Sequence, residues 1–172
     1  MTFLDNNLQT MKDFIRTQGQ KKVLKKKASL FRVHDPVKEL ILLESGYVKV
    51  TQETESGHMM TLAVRTTEDL CGMSELLTEE RNYSRNAFCI TDCTFFVISA
   101  EQFHHLMAHK PHMWQELCKL LAVRHIQSQQ FMYVLTQLSV QERLRWMLQK
   151  YTVTKAGKVF TTIPFTHEQI GQ

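Results

Sequence analysis

Apolar and polar positions change their period three times along this chain. Near the start, Phe3, Leu4, Leu8, Met11, Phe14 and Ile15 recur at helical spacing and stop at Gly19, which predicts one amphipathic helix. From Leu30 to Ile98 the period drops to that of strands. Leu30–Val33, Glu39–Leu43, Tyr47–Thr51, Met59–Val64, Asn86–Ile90 and Thr94–Ile98 are short β-type runs separated by turn residues, among them Asp35-Pro36 and Glu44-Ser45-Gly46. Short strands with evenly spaced turns predict an antiparallel roll or barrel. At Ser99 the helical period returns. Ser99 with Gln102 forms a capping-box pattern that opens a helix to His109, and Lys110-Pro111 breaks and restarts it. No glycine or proline occurs from His112 to Tyr151, which permits one very long helix with a bend near Leu138-Ser139. Beyond it, Val159–Ile163 reads as a short strand, and Thr166-His167-Glu168-Gln169 reads as a helix start that Ile170-Gly171-Gln172 enters. A single turn cannot stabilise itself, so the expectation is that the chain stops inside a further element.

The long helix carries a second pattern. Leu117, Leu121, Arg124, Ser128, Phe131, Leu135 and Leu138 follow at spacings of 4, 3, 4, 3, 4 and 3, an a/d series that predicts a paired helix and hence a homodimer. Trp114, Ile126 and Val134 lie off that seam and are expected to face the parent domain. Arg124 and Ser128 interrupt the seam one turn apart. Polar groups at such core positions cost stability and set register or hold a ligand.

Composition changes this picture little. The 172 residues, 43% hydrophobic and 22% charged, suit a globular chain, and no apolar run is long enough to cross a bilayer. Without a secretion-type N-terminus the expected address is cytoplasmic. A net charge of +4 permits polyanion binding without requiring it. The run Lys21-Lys22-Val23-Leu24-Lys25-Lys26-Lys27 reads as the solvated edge of a first strand in preference to a nucleic-acid patch. Cys71, Cys89, Cys93 and Cys118 form no C-x-x-C pair. Cys89 and Cys93 read as small buried strand residues, while redox sensing at Cys71 or Cys118 stays open. An enzyme is not expected: His34 and His58 stand alone in loops and His104-His105 lie on a helix, so no histidine–carboxylate set converges, and no metal is assigned.

In order along the chain, four stretches resemble the Crp/Fnr superfamily of bacterial transcription regulators. They are Leu24–Phe31 with Asp35-Pro36 and Leu42–Val50; Glu68-Asp69-Leu70-Cys71-Gly72; Ala87 to Phe103; and Val140–Leu148 followed by Ile163 to Gly171. The resemblance implies an α+β fold. An antiparallel β-roll of cyclic-nucleotide-binding type, a double-stranded jelly roll with flanking helices, would occupy 1–110. A dimerisation helix would occupy 111–138 and an incomplete winged helix-turn-helix 139–172. Thr166, His167 and Gln169 would contact DNA from its first helix, with the base-reading helix beyond Gln172. The implied partners are a second copy of the chain, operator DNA and RNA polymerase; the alternative is a stand-alone sensing and dimerisation module without DNA binding. The resemblance further places an effector site at Gly72, Met73, Arg85, Asn86, Ala87, Arg124, Ser128 and Gln129. In cyclic-nucleotide members a glutamate takes the ribose hydroxyl and an Arg-Ser pair takes the phosphate. Met73 and Arg85-Asn86 stand there in this chain, which argues against cyclic AMP and leaves a small anionic effector. A surface ion pair of Arg85 with Glu75, Glu79 or Glu80 is the competing reading of that arginine.

Overall fold

The computed structural model of the chain describes residues 8–150 and the strand backbones at 152–155 and 158–161. It divides into two compact units, Met1–Leu117 and Cys118–Gln172.

The first unit holds two antiparallel four-stranded sheets. One has the order β1-β8-β3-β6, formed by β1 (Gln20–Leu24), β8 (Cys93–Ser99), β3 (Glu39–Ser45) and β6 (Leu70–Cys71); the other has the order β2-β7-β4-β5, formed by β2 (Ser29–Phe31), β7 (Asn86–Cys89), β4 (Val48–Glu53) and β5 (Met59–Arg65). The inward residues of both sheets make one core: Phe31, Ile41, Leu43, Val48, Cys71, Tyr83, Ala87, Cys89, Cys93, Phe95 and Val97. Strand β8 shows the alternation that a roll demands, since Cys93, Phe95 and Val97 are buried while Thr94 and Phe96 are half-buried. Strand β3 is buried on both faces from Leu40 to Leu43. Ile41 and Leu43 join the roll core, and Leu40 and Leu42 take the other side, where α2 (Met73–Leu77) and α3 (Ala100–His109) pack on the strand.

Each predicted strand is present, shifted by a residue or two. Helix α1 covers Gln9–Gln18 and buries Met11, Lys12 and Ile15; Phe3 and Leu4 of the predicted stripe lie outside the described residues. The lysine run occupies the sheet edge as β1, which pairs with β8 alone. Lys22 reaches Glu39 at 2.7 Å and Lys25 reaches Asp92 at 2.9 Å, so the edge is charged and locally paired, the arrangement that discourages strand addition. Gly46 sits in the β3–β4 turn at φ +100°, and a Cβ there would fall 2.6 Å from both Asp92 O and Cys93 Sγ. The predicted capping box at the start of α3 is complete: Gln102 N donates to Ser99 Oγ at 3.1 Å, and Ser99 N donates to Gln102 Oε1 at 2.9 Å. Sequence patterning missed β6 and α2, which lie in a stretch read as loop.

The long helix α4 runs Met113–Gln137, 25 residues, and α5 runs Val140–Lys150, with the break at Leu138-Ser139 where a bend was expected. A second capping box starts α5. Ser139 N donates to Glu142 Oε2 at 2.9 Å, and Glu142 N donates to Ser139 Oγ at 3.4 Å. The Ser139 hydroxyl, donating to Glu142 Oε2 at 2.7 Å, and then the Ser139 N–H stabilise the ionised carboxylate and hold its pKa below the ordinary value. Strands β9 (Thr152–Lys155) and β10 (Lys158–Thr161) form an antiparallel hairpin.

Candidate functional site

The segment from Gly72 to Ala87 is where the effector site was expected. Gly72 precedes α2 at φ +77°, and a Cβ on it would come within 3.0 Å of both Glu39 O and the Tyr83 hydroxyl. Only glycine fits both the conformation and the space. Met73, expected in the effector site, is buried (1% exposed) and its side chain is apolar.

Tyr83 organises the segment, and the sequence reading passed over it. Its ring stacks on Phe31 with centroids 3.9 Å apart and planes inclined by 8°, and its hydroxyl lies 3.5 Å from Glu39 O. The backbone around it is tied to the β2–β3 connection: His34 N donates to Tyr83 O at 2.9 Å, Tyr83 N to Asp35 O at 2.9 Å, and Val37 N to Arg81 O at 2.9 Å. Burial, with the Glu75 and Glu39 carboxylates adding to it, pushes the phenol well above its ordinary range. Tyr83 therefore acts as a neutral anchor. The signal that could have found it is a lone aromatic inside the polar run Thr78–Arg85.

Two residues beyond that anchor stands Arg85, exposed and without an ion pair or hydrogen bond to any described residue. The competing surface pair with Glu75, Glu79 or Glu80 does not form, and Glu75 is instead buried (8% exposed). Asn86 is committed to the fold, because its Oδ1 accepts from Val33 N at 3.0 Å. Ala87 is fully buried in the core, opposite Val50 in the β4–β7 register. Directly opposite Asn86 lies Thr51, whose hydroxyl is buried and has no hydrogen-bond partner among the described residues. A buried hydroxyl left unsatisfied costs about 1–3 kcal/mol, and this one faces the first residue of β7, which Arg85 precedes.

Along α4, Arg124 is half-buried, and Ser128 and Gln129 are exposed. Of the predicted seam, Leu117 is buried in its own chain, Phe131 and Leu138 are half-buried, and Leu121 and Leu135 are exposed at 37% and 39%. Of the residues expected to face the parent domain, Val134 is buried. Trp114 is 43% and Ile126 53% exposed. A helix turns 100° per residue, so Trp114, Leu121, Ser128 and Leu135 share one stripe, and Met132 joins it. Apart from Ser128, these residues leave apolar surface open along the helix. Within the second unit, the Phe131 and Trp146 rings lie 6.3 Å apart, and Gln129, Gln130, Tyr133, Val134, Leu138 and Trp146 line a groove of about 530 Å³.

Cys89 and Cys93 are buried as expected, and Cys71 is buried with them. Cys118 is exposed, and all are free thiols. Burial first, then the neighbouring Cys93, pushes the Cys89 thiol up to about 12, which keeps it protonated and unreactive. Among the described residues no three histidine, cysteine or carboxylate groups converge as a metal cluster, and no helix is long and apolar enough to cross a membrane. Thr166, His167 and Gln169 lie outside the described residues.

The roll is thus two four-stranded antiparallel sheets, with a short helix following a positive-φ glycine between β6 and β7. The chain belongs to the cyclic nucleotide-binding domain family, whose model matches residues 21–110. Solved structures share its fold. The c-di-GMP-responsive global regulator CLP of Xanthomonas campestris superposes with a TM-score of 0.70 at 20% identity, covering 83% of this chain and 70% of its own. FixK2 of Bradyrhizobium japonicum gives 0.73 at 16% identity, over 89% and 75%. The catabolite activator protein of Thermus thermophilus gives 0.63 at 18% identity, over 97% of each chain. At these identities the likeness establishes the fold. Among curated proteins, none matches the sequence significantly.

Proposed function

We propose that this chain is a Crp/Fnr-type transcription regulator: a cytoplasmic, non-enzymatic homodimer that senses a small anionic effector in its β-roll and relays occupancy through α4 to a C-terminal helix-turn-helix on operator DNA, with RNA polymerase as a further partner. Family membership and the regulators among its structural neighbours support the class. The observation that carries the reading is α4 itself. Trp114, Leu121, Met132 and Leu135 leave apolar surface open along one stripe of a 25-residue helix, a face that a second copy of the helix would cover at coiled-coil spacing. Ser128 interrupts that stripe, and Arg124, Ser128 and Gln129 are the polar positions through which the relay would run. Thr166, His167 and Gln169 would serve DNA in the role that the resemblance assigns them.

On the roll side the reading rests on Arg85, which no described group neutralises, and on the unsatisfied Thr51 hydroxyl opposite its chain neighbour Asn86. Met73 in place of a ribose acceptor favours an anion other than cyclic AMP. Light scattering at micromolar concentration should give twice the chain mass, and Leu121→Glu with Leu135→Glu should return it to single mass. A thermal-shift screen of nucleotides and anionic metabolites should raise Tm for at least one compound in the wild type and not in Arg85→Ala. Single chains at all concentrations would remove the dimer.

A further inference from the structure

We propose that His105 and His109, at the C-terminal end of α3, form a two-point site for a late first-row divalent cation of the Zn²⁺, Ni²⁺ or Cu²⁺ class. Four of the chain's eight histidines fall between 104 and 112, and the regulator reading uses none of them. Both residues are exposed and stand four apart, on one helix face. Their ring centroids are 4.0 Å apart with planes inclined by 30°. The rings lie partly stacked as they stand, and two exposed imidazoles four residues apart on one helix face reach a common cation by side-chain rotation, the spacing used by helical zinc motifs.

One hydrogen bond orients the second ring. His109 Nδ1 lies 2.8 Å from His105 O. A carbonyl oxygen only accepts, so Nδ1 carries the hydrogen and donates. In the neutral ring this tautomer puts the lone pair on Nε2. Locking one ring nitrogen on a backbone carbonyl is how metal-ligating histidines are usually oriented. Neither ring is engaged in an ion pair among the described residues, and the carbonyl end of the helix dipole favours positive charge there. Imidazole pairs suit zinc, nickel and copper and select against magnesium and calcium, which want oxygen. No third protein ligand converges among the described residues, so water completes the shell and the cation is exchangeable. The neighbouring histidines are placed differently: His104 is edge-on to Phe103 at 5.4 Å, and His112 lies beyond the helix end, past Pro111.

The test is calorimetric titration of the full chain, produced without a polyhistidine tag, with ZnSO₄ and NiCl₂, alongside Cu²⁺ electron paramagnetic resonance. One cation per chain is expected, with affinity falling on the order of tenfold or more in His105→Ala and in His109→Ala. His112→Ala and Cys118→Ser should leave it unchanged. The copper spectrum should show two nitrogen donors in the wild type and fewer in either variant. A hundredfold excess over Kd should raise Tm by roughly 5–10 °C. Alanine suits an exposed helix position, circular dichroism reports whether each variant folds, and His109→Gln stands in should an alanine variant fail. Absence of saturable binding, binding indifferent to both substitutions, or binding that vanishes in Cys118→Ser instead would each overturn the proposal.

Discussion

Strand β3 and helix α4 bury their apolar side chains to different extents. On β3, Leu40, Ile41, Leu42 and Leu43 are each 3% exposed or less. On α4, Leu117 and Leu120 are buried, but Trp114, Leu121, Ile126, Met132, Tyr133 and Leu135 retain between 37% and 63% of their surface. The strand is covered on both faces, by the roll core on one and by α2 and α3 on the other. The helix carries apolar residues around more of its perimeter than is buried. Burial of one such side chain is worth about 1.5–3 kcal/mol, so covering the open stripe would supply a substantial driving force. Apolar side chains therefore stabilise the fold in one region and stay in contact with water in the other.

Truncation should separate the two regions most sharply. Phe95→Ala, at a fully buried position, should lower unfolding free energy by about 3–5 kcal/mol in urea titration. Met132→Ala, at 63% exposure, should change it by about 0.5 kcal/mol or less at concentrations where the chain is single, and should weaken self-association instead. Equal losses in both variants would break the contrast. Next in size, Gly72→Ala forces a side chain into positive φ against Glu39 O and Tyr83, and should cost about 1–3 kcal/mol. Ser139→Ala removes the cap of α5 and should cost about 1 kcal/mol, seen as lost helical ellipticity with the β-roll signal intact.

The smallest effect concerns pH. Asp92, hydrogen-bonded first by Lys25 and then by the Lys26 backbone, has its pKa held below the usual carboxylate value. A depressed folded-state pKa gives stability that is present above the unfolded value, about 4, and is lost as pH falls through the folded one. Asp92→Asn should therefore be slightly less stable than wild type at neutral pH and indistinguishable from it in strong acid. Both groups are exposed, so the gap is small.

How much could be read in advance differs between these regions for the same reason. Strand positions alternate with period two and their turns carry glycine or proline, so each long strand of the roll was legible to within a residue or two. Short elements were not: β6 spans two residues and α2 five, too few to show any period. Tyr83 escaped because its partners, Phe31, Glu39 and Gly72, are brought to it only by folding. On α4 the heptad spacing was legible, but the exposure of single positions was not: Trp114 and Met132, outside the series, are exposed, while Arg124 and Phe131 within it are half-buried.

Local chemistry written in the chain settled the capping box at Ser99-Gln102, the break at Leu138-Ser139, the lysine-marked sheet edge and the identity of the strands. Each depends on neighbours a few residues apart, where backbone geometry leaves few choices. Only the tertiary structure decided that Arg85 goes unpaired, that Thr51 keeps an orphan hydroxyl opposite Asn86, and which side of α4 stays open. These depend on what distant segments present to one another once the roll has closed, and no spacing along the chain encodes that.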